Sequence, residues 1–202
     1  MLYEDISDVI NTLDLSAISE ERKTVLQPLI DYLESKLETD QAIRLNFICT
    51  HNSRRSHLSQ IWAQTMAAYY NIKNVSSYSG GTEASAMFPK VGEILTKQGF
   101  KINALSGGYN PVYSIKYSQN EPAIIAFSKK FEDDFNPASA FAAIMTCSSA
   151  DEGCPIVLGC DKRIAVTYED PKKSDGTPQQ TETYLNRSLQ IATEMKFVFS
   201  SL

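Results

Sequence analysis

A cysteine and an arginine six positions apart, Cys49 and Arg55, are the residues whose types and spacing point most directly to chemistry. The residues between them can curl so that successive backbone N–H groups point inward and bind an anion. The guanidinium of Arg55 can hold two oxygens of that anion at once, and the same positive field favours the thiolate form of Cys49. We therefore predict that one loop binds a tetrahedral oxyanion and supplies the nucleophile that attacks it.

The residues within and just beyond this pair are mostly polar, which suits anion binding. The alternative is a core thiol at the end of a strand and a solvated arginine on a helix. A strand pattern before the loop and a helical pattern after it favour the functional interpretation, because the N-terminus of a helix attracts negative charge. The predicted oxyanion-binding residues are Thr50, His51, Asn52, Ser53, Arg54, Arg55 and Ser56.

Three further cysteines, Cys147, Cys154 and Cys160, need an interpretation. Four cysteines in a chain of 202 residues are too few for a disulfide scaffold. In a reducing compartment such cysteines are core thiols, metal ligands or redox groups. We predict no metal site, because the spacings lack a short ligand pair and no nearby histidine completes four ligands. Cys160 is assigned to structure, and Cys147 could also be a core thiol.

The elements that position these residues follow from hydrophobic periodicity. Residues 1–40 have an apolar stripe at helical spacing, with a kink expected at Pro28. Beyond them strands and helices alternate, which predicts a parallel sheet covered by helices on both faces. Cys49 would then lie at the C-terminal edge of the sheet, where α/β proteins bind ligands. Predicted strands cover 43–48, 75–79, 141–146 and 164–168, with a hairpin or strand over 112–117 and 123–127.

Helices are expected after the loop, over 58–69, and from about Phe88, with Pro89 in the first turn and Gly99 just past the end. A final helix is expected to start at Thr177 as its cap, with Pro178 at the first position and Gln180 as the capping-box partner.

Composition excludes several classes of protein. The hydrophobic fraction of 43% and the charged fraction of 21% are those of an ordinary globular domain. A net charge of −5 does not suggest a nucleic-acid surface. The sequence contains no run of eighteen apolar residues, so we expect no membrane span. The acidic N-terminus does not resemble a signal peptide. We expect a cytoplasmic chain that binds neither nucleic acid nor membrane.

The Cys-x5-Arg-Ser segment after an apolar strand resembles the low-molecular-weight protein tyrosine phosphatases and the related thioredoxin-coupled arsenate reductases. The similarity to the reductases extends over residues 47–56. It implies an α/β fold of three layers, α/β/α, around a central four-stranded parallel sheet. This domain would occupy residues 41–202, after an N-terminal helical extension over 1–40. The resemblance covers roughly 43–200 and is interrupted by a longer stretch around 108–138.

The resemblance also implies roles for single residues. Cys49 would be the nucleophile, Arg55 the oxyanion clamp, Asn52 a loop buttress and Ser56 a hydroxyl donor to the thiolate. In that family the general acid belongs to an Asp-Pro pair after the last strand, so the corresponding residue here is Asp170. The alternative is that this pair only forms a turn.

A pair of cysteines distinguishes the arsenate reductases from the phosphatases. In this chain the pair follows the predicted strand that precedes Asp170. Cys147 and Cys154 resemble the redox pair of the arsenate reductases, so the implied function is reduction of arsenate to arsenite through a disulfide relay that thioredoxin regenerates. Hydrolysis of a phosphomonoester through a Cys49-phosphate intermediate is the alternative. The third possible function is that of a non-catalytic anion-binding module. The expected partners are thus thioredoxin and arsenate, phosphate or a phosphomonoester, with no cofactor.

The sequence departs from the family at several positions. His51 replaces a glycine and could strain the loop or add charge, and Arg54 replaces a cysteine and would increase the positive field. Gln60 replaces a carboxylate that helps to bind a structural potassium ion, so that ion is not inferred. Lys172 replaces an aromatic residue, which argues against phosphotyrosine. No role is assigned to His57, because a histidine in the first turn of a helix is usually solvated.

Overall fold

The computed structural model describes residues 1–153 and 156–202. Its α-helices are α1 (Glu4–Thr12), α2 (Glu20–Glu38), α3 (Arg55–Tyr69), α4 (Pro89–Lys97), α5 (Ser148–Gly153) and α6 (Gln180–Ser200). Its strands are β1 (Ile43–Cys49), β2 (Val75–Gly81), β3 (Lys101–Ala104), β4 (Tyr113–Lys116), β5 (Ile124–Ala126), β6 (Phe141–Met145) and β7 (Cys160–Ala165). Two short 3₁₀ turns cover Leu15–Ala17 and Pro171–Ser174.

The central sheet has the strand order β2-β1-β6-β7, and its neighbouring strands are all parallel. Side chains alternate between its faces. Leu45 and Phe47 of β1 join the large core formed with α2, α3 and α6, whereas Ile48 and Cys49 join a smaller apolar cluster that includes Ala150 of α5. The predicted three-layer α/β/α fold with four parallel strands is therefore confirmed.

A second sheet, small and antiparallel, has the order β3-β4-β5. The predicted hairpin over 112–117 and 123–127 is confirmed as β4 and β5. The third strand, Lys101–Ala104, was not predicted because it is short and largely exposed, so it lacks the apolar alternation that marks a strand. The longer stretch at 108–138 thus carries β4 and β5.

The N-terminal helices pack onto the α/β layers. Ile6 and Ile10 of α1 and Leu26 and Leu33 of α2 are buried in the same core as α3 and α6. The helix α2 includes Pro28, at the position where a kink was expected. No helix in the described part of the chain has the length and apolar character needed to cross a membrane.

Two boundaries in the C-terminal part of the chain differ by several residues from the predicted ones. The last strand spans Cys160–Ala165 instead of 164–168, because it is an edge strand whose first half is polar and partly exposed. The final helix begins at Gln180 and not after a Thr177 cap. The Thr177 hydroxyl donates to the carbonyl of Ser174 at 2.8 Å and is not used as a cap, while the Gln180 side chain donates to Asp175. By contrast, Pro89 does occupy the first position of α4, and Gly99 with a φ of +96° follows its end.

Candidate active site

Cys49 ends strand β1, and Arg55 begins helix α3, so the loop lies at the C-terminal edge of the sheet. The Cys49 thiol is buried and lies 3.1 Å from the hydroxyl of Ser56. The side-chain amide of Asn52 donates to that hydroxyl at 2.8 Å. Since the Ser56 oxygen already accepts this hydrogen bond, its own hydrogen can be directed at sulfur. The Ser56 hydroxyl is therefore placed to donate a hydrogen bond to the Cys49 sulfur.

Asn52 fixes the shape of the loop. Its backbone φ of +43° lies in the left-handed region, which asparagine adopts more readily than most residues. Its side-chain oxygen accepts a hydrogen bond from the backbone N–H of Lys129 at 2.9 Å. One side chain therefore connects the loop to Ser56 and to the longer 108–138 stretch.

His57, to which the sequence assigned no role, is fully buried beneath the loop. Its Nε2 lies 2.9 Å from the carbonyl oxygen of Asn52, which can only accept, so Nε2 carries the hydrogen. Nδ1 then accepts from the hydroxyl of Ser79 at 3.3 Å. Burial and the nearby charge of Lys129 lower the pKa of His57 to about 3, so the ring is neutral.

Lys129 is the second residue that sequence reasoning missed. Its side chain is buried, with the ammonium 4.3 Å from the centre of the Phe127 ring. Burial lowers the pKa of this lysine to about 8. No local pattern identifies either Lys129 or His57, because each acts through contacts made only after distant segments pack together.

The guanidinium of Arg55 is held by the segment that contains Tyr168 and Asp170. Nη1 donates to the carbonyl of Tyr168 at 2.9 Å, and Nη2 pairs with the carboxylate of Asp170 at 2.6 Å. The buried Nε of Arg55 has no hydrogen-bond partner among the described residues. Asp170 also accepts from the backbone N–H of Lys172 and keeps its side chain 39% exposed. The acid nominated from sequence therefore lies against the arginine of the loop, within reach of solvent.

Two loop side chains pair with carboxylates outside the loop. Arg54 pairs with Asp175 at 2.7 Å and lies 4.1 Å above the ring of Phe88. This pairing offsets much of the positive field that Arg54 was expected to add. His51 is exposed, with Nδ1 3.2 Å from the carboxylate of Glu83.

Cys147 lies beside the same loop. Its sulfur is 3.5 Å from the hydroxyl of Thr50, the residue after Cys49, and it accepts a hydrogen bond from the backbone N–H of Ala150 at 3.3 Å. Cys49 and Cys147 belong to one buried apolar cluster. Cys154 lies outside the described residues. Cys160 pairs with Phe141 at the N-terminal ends of the strands, the edge of the sheet opposite Cys49.

A small cavity brings most of the predicted site residues together. Cys49, Arg55 and Asp170 provide a nucleophile, a cation and an acid around one space. The loop residues His51, Ser53 and Arg54 complete its lining. Ser53 also accepts a backbone hydrogen bond from Phe88 through its carbonyl, and Asn52 and Ser56 support the cavity from behind.

Proteins with a related sequence or fold are known. No protein-family model matches the chain. An arsenate reductase from Bacillus licheniformis is 24% identical over 145 residues, which are 70% of this chain and 83% of that protein. A low-molecular-weight protein tyrosine phosphatase from T. tengcongensis matches with a TM-score of 0.53 at 18% identity, covering 80% of this chain and 100% of the other.

A solved arsenate reductase in its phosphate-binding state matches with a TM-score of 0.51 at 18% identity, over 79% of this chain and 98% of the other. These similar proteins are enzymes of two related kinds. The chain therefore has the fold shared by low-molecular-weight protein tyrosine phosphatases and arsenate reductases.

Proposed function

We propose that the protein reduces arsenate to arsenite, using Cys49 as the nucleophile and thioredoxin as the source of electrons. The observation that carries this proposal is the position of Cys147. Its sulfur contacts Thr50, next to the nucleophile, and both sulfurs lie in one apolar cluster. A phosphatase needs only the first thiol, whereas a reductase needs a second thiol that can reach the first.

The first step is attack on arsenate by the Cys49 thiolate. A sulfur–arsenic bond forms, the bond from arsenic to one hydroxyl of arsenate breaks, and this departing hydroxyl takes a proton and leaves as water. Asp170 is suited to supply that proton, because it borders the cavity and retains access to solvent. Arg55 and the loop amides stabilise the charge on the remaining oxygens.

The second step transfers electrons. The Cys147 thiolate attacks the sulfur of Cys49 and forms a disulfide, and the electron pair of the sulfur–arsenic bond remains on arsenic, which leaves as arsenite. Cys154 then attacks Cys147, which restores the Cys49 thiolate and leaves a Cys147–Cys154 disulfide. A dithiol of thioredoxin reduces this disulfide and is itself oxidised, so two electrons pass to each arsenate.

Phosphomonoester hydrolysis is the second candidate, and a groove beside the cavity favours it. The groove has a volume of about 410 Å³ and shares Ser53 and Arg54 with the cavity. Its wall includes Phe88, Tyr109 and Tyr113, which could hold the organic part of an ester. In this reaction the Cys49-phosphate intermediate would pass to water, and neither Cys147 nor Cys154 would be needed.

Two assays on one preparation separate the candidates: thioredoxin oxidation that depends on arsenate, and hydrolysis of p-nitrophenyl phosphate. Cys49→Ser should abolish both activities. Cys147→Ser should stop reductase turnover and spare hydrolysis, while the control Cys160→Ser, at the opposite edge of the sheet, should keep both. Reduction of arsenate at the wild-type rate by Cys147→Ser would refute the relay. Binding of phosphate without turnover in either assay would favour the non-catalytic module.

A further inference from the structure

The N-terminal helix α2 places Arg22 against Tyr168, two residues before Asp170. We infer that Arg22 is a positioning residue that sets the places of both Arg55 and Asp170 by holding the side chain of Tyr168. The inference rests on the proposed chemistry at Cys49, but it concerns a part of the chain that lies outside the loop and the cavity.

Arg22 makes a two-point ion pair across the interface between α2 and α6. Its Nε and Nη2 donate to the two carboxylate oxygens of Glu194 at 2.9 and 2.7 Å. The Glu194 side chain is only 3% exposed, and Gln190 also donates to it. Two parallel hydrogen bonds fix the plane of the guanidinium, not just its charge.

The fixed guanidinium lies over Tyr168, with its central carbon 4.9 Å from the centre of the ring. The ring is buried, and burial together with the nearby charge of Glu194 raises the pKa of Tyr168, so it stays a neutral phenol. A cation over a buried aromatic face is attracted to it. Arg22 therefore restrains the position of the Tyr168 side chain as well as the distance between α2 and α6.

The backbone of Tyr168 continues this connection to the site. Its carbonyl accepts the 2.9 Å hydrogen bond from Arg55, and two residues further on Asp170 accepts from the same guanidinium at 2.6 Å. The N–H of Tyr168 is held by Thr146 at 3.1 Å. A shift of the Tyr168 ring would thus move the carbonyl that anchors Arg55 and the chain that presents the acid.

A purely structural role makes a different prediction. If Arg22 only joins α2 to α6, its loss should lower the amount of folded protein and reduce all activities by one factor. If it positions the acid, its loss should matter most for substrates whose leaving group needs a proton. Phenyl phosphate has a basic leaving group, and p-nitrophenyl phosphate has a weakly basic one.

The variant must not leave a buried charge unpaired, because an isolated Glu194 carboxylate would itself destabilise the fold. We therefore pair Arg22→Met with Glu194→Gln, which still offers Gln190 an acceptor. Lys23→Met is the matched control, since Lys23 is the next residue of α2 and pairs with Glu20 at the surface. Melting temperatures of all variants check that the proteins compared are folded.

We expect the double variant to lose kcat/KM on both esters, because Arg55 binds the phosphoryl group of each, and to lose at least about three-fold more for phenyl phosphate than for p-nitrophenyl phosphate. Arg22→Lys alone, which keeps a charge over the ring but not the planar fork, should fall between the double variant and the wild type. Lys23→Met should match the wild type. Equal losses on the two substrates, or no loss on either, would overturn the inference.

Binding of inorganic phosphate, measured by calorimetry, tests the inference without turnover. If the wild type hydrolyses neither ester, the proposed chemistry fails in its hydrolytic form, but the anchoring of Arg55 can still be measured. We expect the Kd for phosphate to rise by about five-fold or more in the double variant and to stay unchanged in Lys23→Met. An unchanged Kd in the double variant would refute the positioning role, whichever reaction the protein catalyses.

Discussion

At the scale of single residues, the site depends on side chains that hold other side chains. Asn52 donates to Ser56, Ser56 lies 3.1 Å from the Cys49 sulfur, and His57 holds the Asn52 carbonyl. The types and spacing of Cys49 and Arg55 indicated their roles, whereas the roles of Asn52 and Ser56 were implied by the resemblance to the phosphatases and reductases. It did not indicate His57, since only tertiary packing turns a helical histidine into a buried donor.

Asn52→Ala should slow reactions of the Cys49 thiolate. The variant removes the donor to Ser56 and places alanine at a φ of +43°, which costs about 1 kcal/mol. We expect the rate of Cys49 alkylation by iodoacetamide at neutral pH to fall about five-fold or more. Asn74→Ala is the control, because Asn74 has a similar φ of +61° but is exposed on a turn before β2. Equal alkylation rates for Asn52→Ala and wild type would contradict the buttress role.

His57 should make stability depend on acid pH. Its folded pKa of about 3 lies below its ordinary value of 6.5, so between these values the unfolded chain binds a proton that the folded chain does not. The stability contributed by the neutral ring is complete above 6.5 and declines as pH falls toward 3. Urea unfolding should show that wild type loses about 2 kcal/mol more than His57→Gln between pH 6.5 and 4.5. Parallel losses in the two proteins would show that His57 does not titrate in this way.

At the scale of elements, the loop is shaped by the end of the neighbouring strand. A Cβ on Gly81, the last residue of β2, would lie closest to the Glu83 carbonyl oxygen, and 2.7 Å from both the Asn52 nitrogen and the Thr50 oxygen of the loop. The loop can approach β2 this closely only because position 81 has no side chain. The sequence predicted a strand over 75–79, but it did not indicate that Gly81 forms a wall of the site.

Gly81→Ala should therefore displace the loop. We expect a loss of about 1–3 kcal/mol in the free energy of unfolding, together with weakened phosphate binding in calorimetry. Gly92→Ala is the control: its nearest new contact would be 3.8 Å away, inside helix α4, so it should stabilise the protein by about 0.5–1 kcal/mol and leave binding unchanged. Normal phosphate affinity in Gly81→Ala would show that the loop does not need this close approach.

Element boundaries show where sequence patterns stop being informative. The buried strand β6 has a continuous apolar run, and β1 has an alternating run that ends apolar; both were predicted within a residue or two. The polar edge strand β7 and the exposed β3 lack such runs. Thr177 and Pro178 are typical residues for the start of a helix. In the structure the Thr177 hydroxyl instead donates to the Ser174 carbonyl at 2.8 Å within a local turn, so it does not cap the helix.

At the scale of the whole molecule, the N-terminal helices share a core with the sheet layers. Leu26 and Leu33 are buried with Tyr184 and Met195 of α6 in one cluster. The sequence predicted helices over residues 1–40 from their apolar stripe, but it could not say what that stripe covers. The stripe covers α6, a contact between residues more than 150 positions apart in the chain.

Unfolding should consequently be a single transition. Trp62 is buried in the core and donates to Ser188 of α6 at 2.9 Å, so its fluorescence reports on the α/β layers. Circular dichroism reports on all helices, including α1 and α2. We expect the two signals to coincide across a urea titration. A separate early loss of helical signal, with fluorescence unchanged, would show that residues 1–40 unfold on their own.

The central claim is that Cys49 and Cys147 act in sequence on one bound arsenate, and a single-turnover experiment tests it most directly. Reduced Cys154→Ser protein is mixed with excess arsenate without thioredoxin, the arsenite is counted, and the disulfides are mapped by mass spectrometry. We expect one arsenite per protein and a Cys49–Cys147 disulfide, because the next thiol of the relay is missing. Free thiols on both cysteines with no arsenite released, or a disulfide that involves Cys160, would contradict the account.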